Sequence, residues 1–339
     1  MWKPPSALRT VPVPKSKSPL AAAITQLATS SGVPQRLIGV IPSAISLSYL
    51  AETTSVIGVL IIPGYGPGVL DCKGGVVASF LAMDALDRCG FRARPVMHIL
   101  QTDEETGSKT SGKDTVRYMC EKAKGSVAFL NTEANREGFV VLSRKGILRY
   151  EFTVHGISAH SSLCVSGANA IAEAAYKIIE LEKMKDKDGL TCNCGVISGG
   201  SVANTVAETC RFTADIRFAN AEQLEWAKNK IREVSESSTV DGCTCDVRQV
   251  SMRPAMERLE ANEHLAARIN EINGTVGLPA IVSRVGEGGS DAAYTTQAGI
   301  PSVDAIGVEG GRIHSPEEYA VKSSLALSAK QQAAVVCFI

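Results

Sequence analysis

Between residues 147 and 255 the hydrophobic periodicity of this 339-residue sequence changes, and afterwards it changes back. Ahead of the switch, residues 74–89 (GGVVASFLAMDALDRC) carry apolar side chains at helical spacing and end at Gly90, a residue suited to the C′ position. Residues 95–101 (PVMHILQ) and 126–131 (SVAFLN) are short apolar runs that predict buried strands, separated by a polar loop at 102–108 (TDEETGS). Beyond the switch the pattern predicts a helix over 261–273, a strand over 279–285, a helix over 290–299 and a strand over 301–306. Strands alternating with helices predict an α/β domain with a largely parallel sheet and helices outside it. Within the switch, 148–154 and 243–250 alternate, and 210–218 (CRFTADIRF) places Phe212, Ala214, Ile216 and Phe218 on one face, as in an antiparallel strand. Helices are predicted there over 167–184 and 221–236, which makes this block an α+β unit. The expected organisation is one α/β domain, 63–146 and 256–339, interrupted by a smaller α+β domain at 147–255. A chain of this length suits about two domains.

The first 62 residues stand apart. Eight of the fourteen prolines lie in residues 1–63, Glu52 is the only acidic residue before Asp71, and no histidine precedes His98. An acid-poor leader bearing Ser and Arg has the composition of a transit peptide, but its proline density opposes an amphipathic helix. It is an atypical Pro- and Ser-rich segment, with one buried strand expected over 55–62 (SVIGVLII). Over the whole chain 35 basic residues balance 35 acidic ones, so nothing in the charge points to nucleic acid or an anionic membrane surface. No apolar run reaches the length of a membrane span. The ten cysteines are scattered, and Cys192-Asn-Cys194 and Cys243-Thr-Cys245 lack the C-x₂-C spacing of structural zinc sites. Reduced thiols and a cytoplasmic location are expected.

The chemistry concentrates at predicted strand ends, where ligand sites of α/β sheets lie. Glu104 and Glu105 are adjacent carboxylates at such an end, and consecutive side chains of extended backbone point to opposite sides. One can hold a cation while the other faces a water, a division of labour that metal hydrolases require; a solvated acidic turn is the alternative. Asp71 lies in a glycine-rich loop opening a helix, within apolar surroundings, where a carboxylate needs a partner, either Lys73 or a metal. Glu133 falls just past the strand over 126–131, and His314 sits in a Gly-flanked loop after the last strand, where a plain surface histidine is equally in keeping. Together Asp71, Glu105, Glu133 and His314 offer oxygen and nitrogen donors suited to zinc.

Nine segments occur in one order: GPGVLDCKGG (66–75), TDEETGS (102–108), the Glu133 stretch, GISAHSS (156–162), GGSVANTVAE (199–208), DIRF (215–218), RPAME (253–257), GGSDAAY (288–294) and GGRIHSPEEY (310–319). In these the chain resembles the M20 family of zinc metallopeptidases, specifically its glutamate carboxypeptidase branch, from about residue 64 to 325. The resemblance implies a zinc-exopeptidase-like α/β catalytic domain with an inserted lid or dimerization domain. It implies two zinc ions bridged by Asp71, one completed by Glu105 and His314, the other held by Glu133. Glu104 would be the general base that takes the proton of the attacking water. His160, on the inserted domain, would reach the active site of a second subunit and stabilise the oxyanion, so a homodimer is expected. Asn204, Arg217 and Arg253 match substrate-handling positions, an arginine being suited to a terminal carboxylate; Arg217 could equally form a structural ion pair, and Asn204 could be a turn residue. The implied substrate is a small peptide or an N-acyl amino acid.

The sequence departs from the family in one respect. The family carries an H-x-D motif ahead of the GPGxxD loop, whose histidine completes the metal site of Glu133. Residues 1–97 contain no histidine and residues 1–70 no aspartate. One metal site is therefore complete and the other keeps Asp71 and Glu133. An impaired relative acting as a binding or regulatory protein is the alternative expectation.

Overall fold

The computed structural model describes residues 67–339, apart from 137, 187–188 and 287. The atypical segment at 1–62 and the strand expected at 55–62 lie outside the described residues.

Two packed units surround a common cavity. In the first, helix α1 (Gly74–Arg88) packs against the C-terminal helix α7 (Lys322–Phe338) through a cluster that includes Leu81, Ala85, Leu325, Ala329 and Ala333. The helical run at 74–89 therefore has its expected length, and the chain turns at Gly90 with φ 68°. Short parallel pairs join strand β1 (Phe129–Leu130) to β9 (Ser302–Val303), and β3 (Phe139–Arg144) to β8 (Val282–Gly286). Strand β2 (Asn135–Arg136) runs parallel to β10 (Glu309–Gly311), whose other edge pairs antiparallel with β11 (Tyr319–Ala320). Helices α2 (Asp114–Ala123), α5 (Glu260–Val276) and α6 (Ala292–Gln297) complete this unit.

One sequence expectation fails here, and one helix appears that the pattern does not predict. Residues 95–101 form no strand: among the described residues nothing pairs with them, and Met97 and Leu100 are exposed. An apolar run becomes a strand only beside a hydrogen-bonding neighbour. Conversely, α7 adds a helix that the periodicity does not predict, because polar residues are buried beside its Leu325, Ala329 and Ala333 row and blur the apolar pattern. Ser324, Ser328, Gln331 and Gln332 are all buried on it. Ser328 Oγ donates to the Ile306 carbonyl (2.7 Å), Gln332 Nε2 to Ser328 Oγ (3.0 Å) and Gln331 Nε2 to the Pro279 carbonyl (3.2 Å), so polar residues sit inside at no loss of hydrogen bonding.

The second unit is a four-stranded antiparallel sheet, β5 (Thr191–Gly199), β6 (Thr209–Phe218), β4 (Gly146–His155) and β7 (Thr244–Arg253), in that spatial order. Helices α3 (Ala170–Glu182) and α4 (Ala221–Glu236) cover one face. The alternation of 210–218 is realised: Phe212, Ala214, Ile216 and Phe218 are buried at 1 % exposure or less. Both helix starts are capped by asparagine. Asn169 Oδ1 accepts from Ile171 N (2.9 Å), and Asn220 Oδ1 from Gln223 N (2.9 Å) while Gln223 Oε1 reaches back to Ala219 N (2.7 Å). A buried Lys177–Glu173 pair (3.0 Å) ties α3 to the end of α4, with Lys177 Nζ donating to the Val234 carbonyl (2.7 Å) and Glu173 accepting from Val240 N (2.8 Å). The opposite face of the sheet, carrying Arg149, Arg217 and Gln249, borders the cavity.

Phe152 and Phe212 stack at 4.6 Å between ring centroids in the core of this sheet, both essentially inaccessible. Truncating either leaves a cavity that a packed sheet cannot close. Phe212→Ala is expected to destabilise the chain by about 3–5 kcal/mol, read from denaturant unfolding, whereas Phe80→Ala, at a half-exposed site, changes it by under about 1 kcal/mol.

Candidate active site

The cavity encloses about 720 Å³ between the two units. All the candidate residues border it except His160 and Asn204.

Asp71 enters from the loop ahead of α1, in a segment whose Asp71–Cys72 peptide is cis. The loop is pinned by Glu318, which the sequence singled out only as part of a motif. Its Oε1 accepts from Leu70 N (2.8 Å) and Asp71 N (3.0 Å), and its Oε2 from Gly68 N (3.0 Å). Glu318 is 1 % exposed; burial opposes its charge, but these backbone N–H groups and that of His314 hold its carboxyl below the usual range. One buried anion thus fixes two of the loops that carry candidate ligands. Two glycines let the backbone near Glu133 approach its neighbours. A Cβ on Gly75 would lie 1.9 Å from the Thr132 carbonyl oxygen, and one on Gly307 would lie 2.5 Å from that of Glu133.

Asp71, Glu105 and His314 each present a donor atom within 4.8 Å of the others. His314 Nε2 stands 3.1 Å from Asp71 Oδ2 and 3.6 Å from Glu105 Oε2. His314 has φ 61° and Arg312 φ 59°, in the left-handed region that few non-glycine residues occupy, and this turn aims the imidazole at Asp71. Glu133 hydrogen-bonds Asp71, and burial, then Asp304 and Asp71, raise its carboxyl well above the ordinary value. Burial also pushes Glu104 up, to about 7, against the lowering pull of Arg253 and with a further push from Asp291. The Cys72 thiol is raised to about 12 by burial and the surrounding carboxylates, Glu133 foremost, and stays protonated. Converging carboxylates and an imidazole, with two carboxyls forced upward by burial and by neighbouring carboxylates, fit a hard or borderline divalent cation.

Arg253, the last residue of β7, donates from Nη1 to Glu104 Oε1 (2.5 Å) and from Nη2 to the Glu104 carbonyl (2.8 Å). Arg217 borders the cavity but is ion-paired: its Nε donates to Asp215 Oδ1 (2.6 Å), and Arg149 Nη2 donates to Asp215 Oδ2 (2.5 Å). Two guanidiniums thus share one carboxylate. Beneath Glu133, Arg144 Nε bonds the fully buried Asp304 (2.5 Å), a pair the sequence pattern did not mark, since an arginine and an aspartate 160 residues apart carry no local signal.

His160 and Asn204 lie together elsewhere. His160 is exposed, with Nδ1 2.8 Å from Ser162 Oγ, and Ser161 N donates to the Asn204 carbonyl (2.9 Å). Within one chain neither borders the cavity.

Comparison with known proteins bears on this arrangement. The model of the M20 peptidase dimerisation domain matches residues 142–243. Carboxypeptidase G2 of Pseudomonas sp. (strain RS-16) is 29 % identical over 258 residues, covering 74 % of this chain and 61 % of that protein. These two matches support an M20 metallopeptidase. The carboxypeptidase G2 match puts it in the glutamate carboxypeptidase-like branch of this family of peptidases and amidohydrolases. Acetylornithine deacetylase of Myxococcus xanthus is 31 % identical over 165 residues, 45 % of this chain and 41 % of its own. The chain therefore spans about three fifths of the length of carboxypeptidase G2. Aminopeptidase PepT of Bacillus cereus ATCC 10987 shares the fold, with a TM-score of 0.65 at 22 % identity over 78 % of this chain and 69 % of its own.

The raised carboxyls have a consequence for stability. Glu104 and Glu133 ionise less readily in the folded chain than in the unfolded one, where the ordinary value is 4.5. Below that value both states are protonated and nothing is lost; as pH rises above it the metal-free fold loses stability. A bound cation removes that loss. Zinc is expected to raise the melting temperature more at pH 8 than at pH 5.5, and equal increments at both would contradict the assignment.

Proposed function

We propose that this M20 chain is a zinc-dependent hydrolase that cleaves an amide bond next to a free carboxylate, in a small peptide or an N-acyl amino acid. The observation that carries the proposal is the convergence of Asp71, Glu105 and His314 beside the raised carboxyl of Glu104. Asp71, Glu105 and His314 would hold one zinc, and Asp71 with Glu133 a second. Zinc there supplies a polarised carbonyl and a water that ionises near neutral pH. Glu104 accepts the proton of the attacking water and returns it to the departing nitrogen; a carboxyl near 7 is matched to both transfers at neutral pH. Arg253 and Arg217 meet the substrate carboxylate by charge-assisted hydrogen bonds.

His160 and Asn204 serve this chemistry only from a second copy of the chain. The α+β unit offers a surface for one: β5 is an edge strand, Val196 and Ile197 on it are exposed, and Tyr176 and Ile179 are exposed on α3. We propose a homodimer through this surface, with His160 of each copy stabilising the oxyanion in the other's cavity. The similarity to carboxypeptidase G2 and to acetylornithine deacetylase supports an amide substrate that bears a carboxylate.

A second reading, an impaired relative that binds without turnover, rests on the lack of any histidine in residues 1–97, which leaves Asp71 and Glu133 to hold the second ion. Hydrolysis separates the two. Zinc-loaded chain should release a free amino acid, and Glu104→Ala should lower kcat by about 10²–10⁴-fold. Turnover that persists in Glu104→Ala sinks the hydrolase assignment, and no turnover in the native chain favours the binding protein.

A further inference from the structure

Arg253 faces two carboxylates at unequal distance. It bonds Glu104 twice, at 2.5 Å through the side chain and 2.8 Å through the backbone oxygen, while its Nη2 stops 3.7 Å short of Asp291 Oδ1. Asp291 opens α6 and is 4 % exposed. Its Oδ2 accepts from Gln101 Nε2 (2.5 Å) and Ser108 Oγ (3.4 Å), which fixes the carboxylate plane. Its Oδ1 is buried and has no hydrogen-bond partner. A buried carboxylate oxygen without a donor is costly, and native structures seldom leave one. Lys113, the other cation beside it, is engaged by the Tyr294 hydroxyl (2.6 Å) and the Gly107 carbonyl (2.7 Å). Arg253 is the cation in position to satisfy Oδ1. A pivot of roughly 1 Å would bring Nη2 to the ordinary length of a charged hydrogen bond. Gly289 lies close enough to the arginine stem, a Cβ there meeting Cδ at 2.8 Å, to confine such a movement to the guanidinium end.

We propose that Asp291 is a positioning residue that draws Arg253 off Glu104, leaving the base free for water and turning the other guanidinium edge toward the substrate carboxylate. In the structure described, Arg253 and Glu104 occupy each other: the Nη1 and Nη2 groups that hold Glu104 are withheld from a substrate, and Oε1 of the base, held by a guanidinium, is a poorer proton acceptor. An incoming carboxylate competes with Glu104 for Arg253. Asp291 favours the exchange, because it holds Nη2 with charge balanced while Nη1 changes partner. Recognition of the free carboxylate and release of the base become one event. The proposal rests on the substrate class proposed above, and it assigns a role to the GGSDAAY segment that the metal site does not use.

The test reads binding, so that it stands apart from turnover. The zinc-loaded full chain is titrated calorimetrically with N-methylsulfonyl-L-alanine and its carboxamide, neither of which has a hydrolysable amide beside the carboxylate. The native chain should prefer the carboxylate by at least about tenfold, the scale of a charge-assisted pair. Asp291→Asn and Arg253→Gln should each abolish most of that preference, and the double variant should lose no more than either alone. Asp291→Glu, which keeps the carboxylate, should restore part of it. A purely structural role for Asp291 would weaken both ligands alike and leave their ratio unchanged. That result, additive losses, or a native chain without preference overturns the proposal. Thermal melting of each variant identifies any that fails to fold, and the Asp291→Glu chain then carries the comparison. A chain that shows the predicted pattern yet hydrolyses nothing would refute the hydrolase while leaving the role of Asp291 in place.

Discussion

Asp71, Glu104, Glu105 and Glu133 border one cavity, and the cations nearest them are already engaged: Arg253 bonds Glu104, Arg144 bonds Asp304, and His314 is charged only when protonated. Like charges gathered in a partly buried place cannot all ionise without a counter-ion. The features around them answer to that constraint. Glu133 and Glu104 retreat toward their neutral forms, and Arg253 leans from the α+β unit onto Glu104. A divalent cation among Asp71, Glu105 and His314 would resolve the same conflict at its centre.

The scaffold spends its own buried charge on holding these groups in place. Glu318 accepts from the backbone of the Asp71 loop and restrains the His314 loop, so a carboxylate that binds nothing else sets the spacing of two candidate ligands. Arg144 and Asp304 form a second buried pair under Glu133. Gly75 and Gly307 permit the close backbone approach beside Glu133 that a Cβ would block. These residues act on the site through the backbone and side chains they hold.

Much of this was legible in the sequence, for definite reasons. The α+β unit declared itself because both periodicities are strict: Phe212 to Phe218 alternate, and 221–236 repeats at helical spacing up to its cap. Asp71 and His314 stand out as charges in glycine-rich loops, and Glu104 and Glu105 as adjacent carboxylates in a polar loop. Residues 95–101 have a strand's apolar run but no pairing neighbour among the described residues, and the pattern of α7 is blurred by buried Ser and Gln beside its Leu325, Ala329 and Ala333 row. Glu318, Asp291 and Arg144 were passed over because their partners lie 160 or more residues away in sequence. His160 and Asn204 stay outside the cavity of their own chain, so the fold of one chain gives them no part in the site.

The most direct test of a cation at the centre of this site is the zinc content of the folded chain after exhaustive dialysis against trace zinc. The account predicts at least one zinc per chain, lost in Asp71→Asn while the fold remains intact. Two equivalents would mean that Asp71 and Glu133 find a further ligand for the second ion. A folded native chain that retains none would contradict the account, because the carboxylates around Asp71 would then have to balance their charge without a metal.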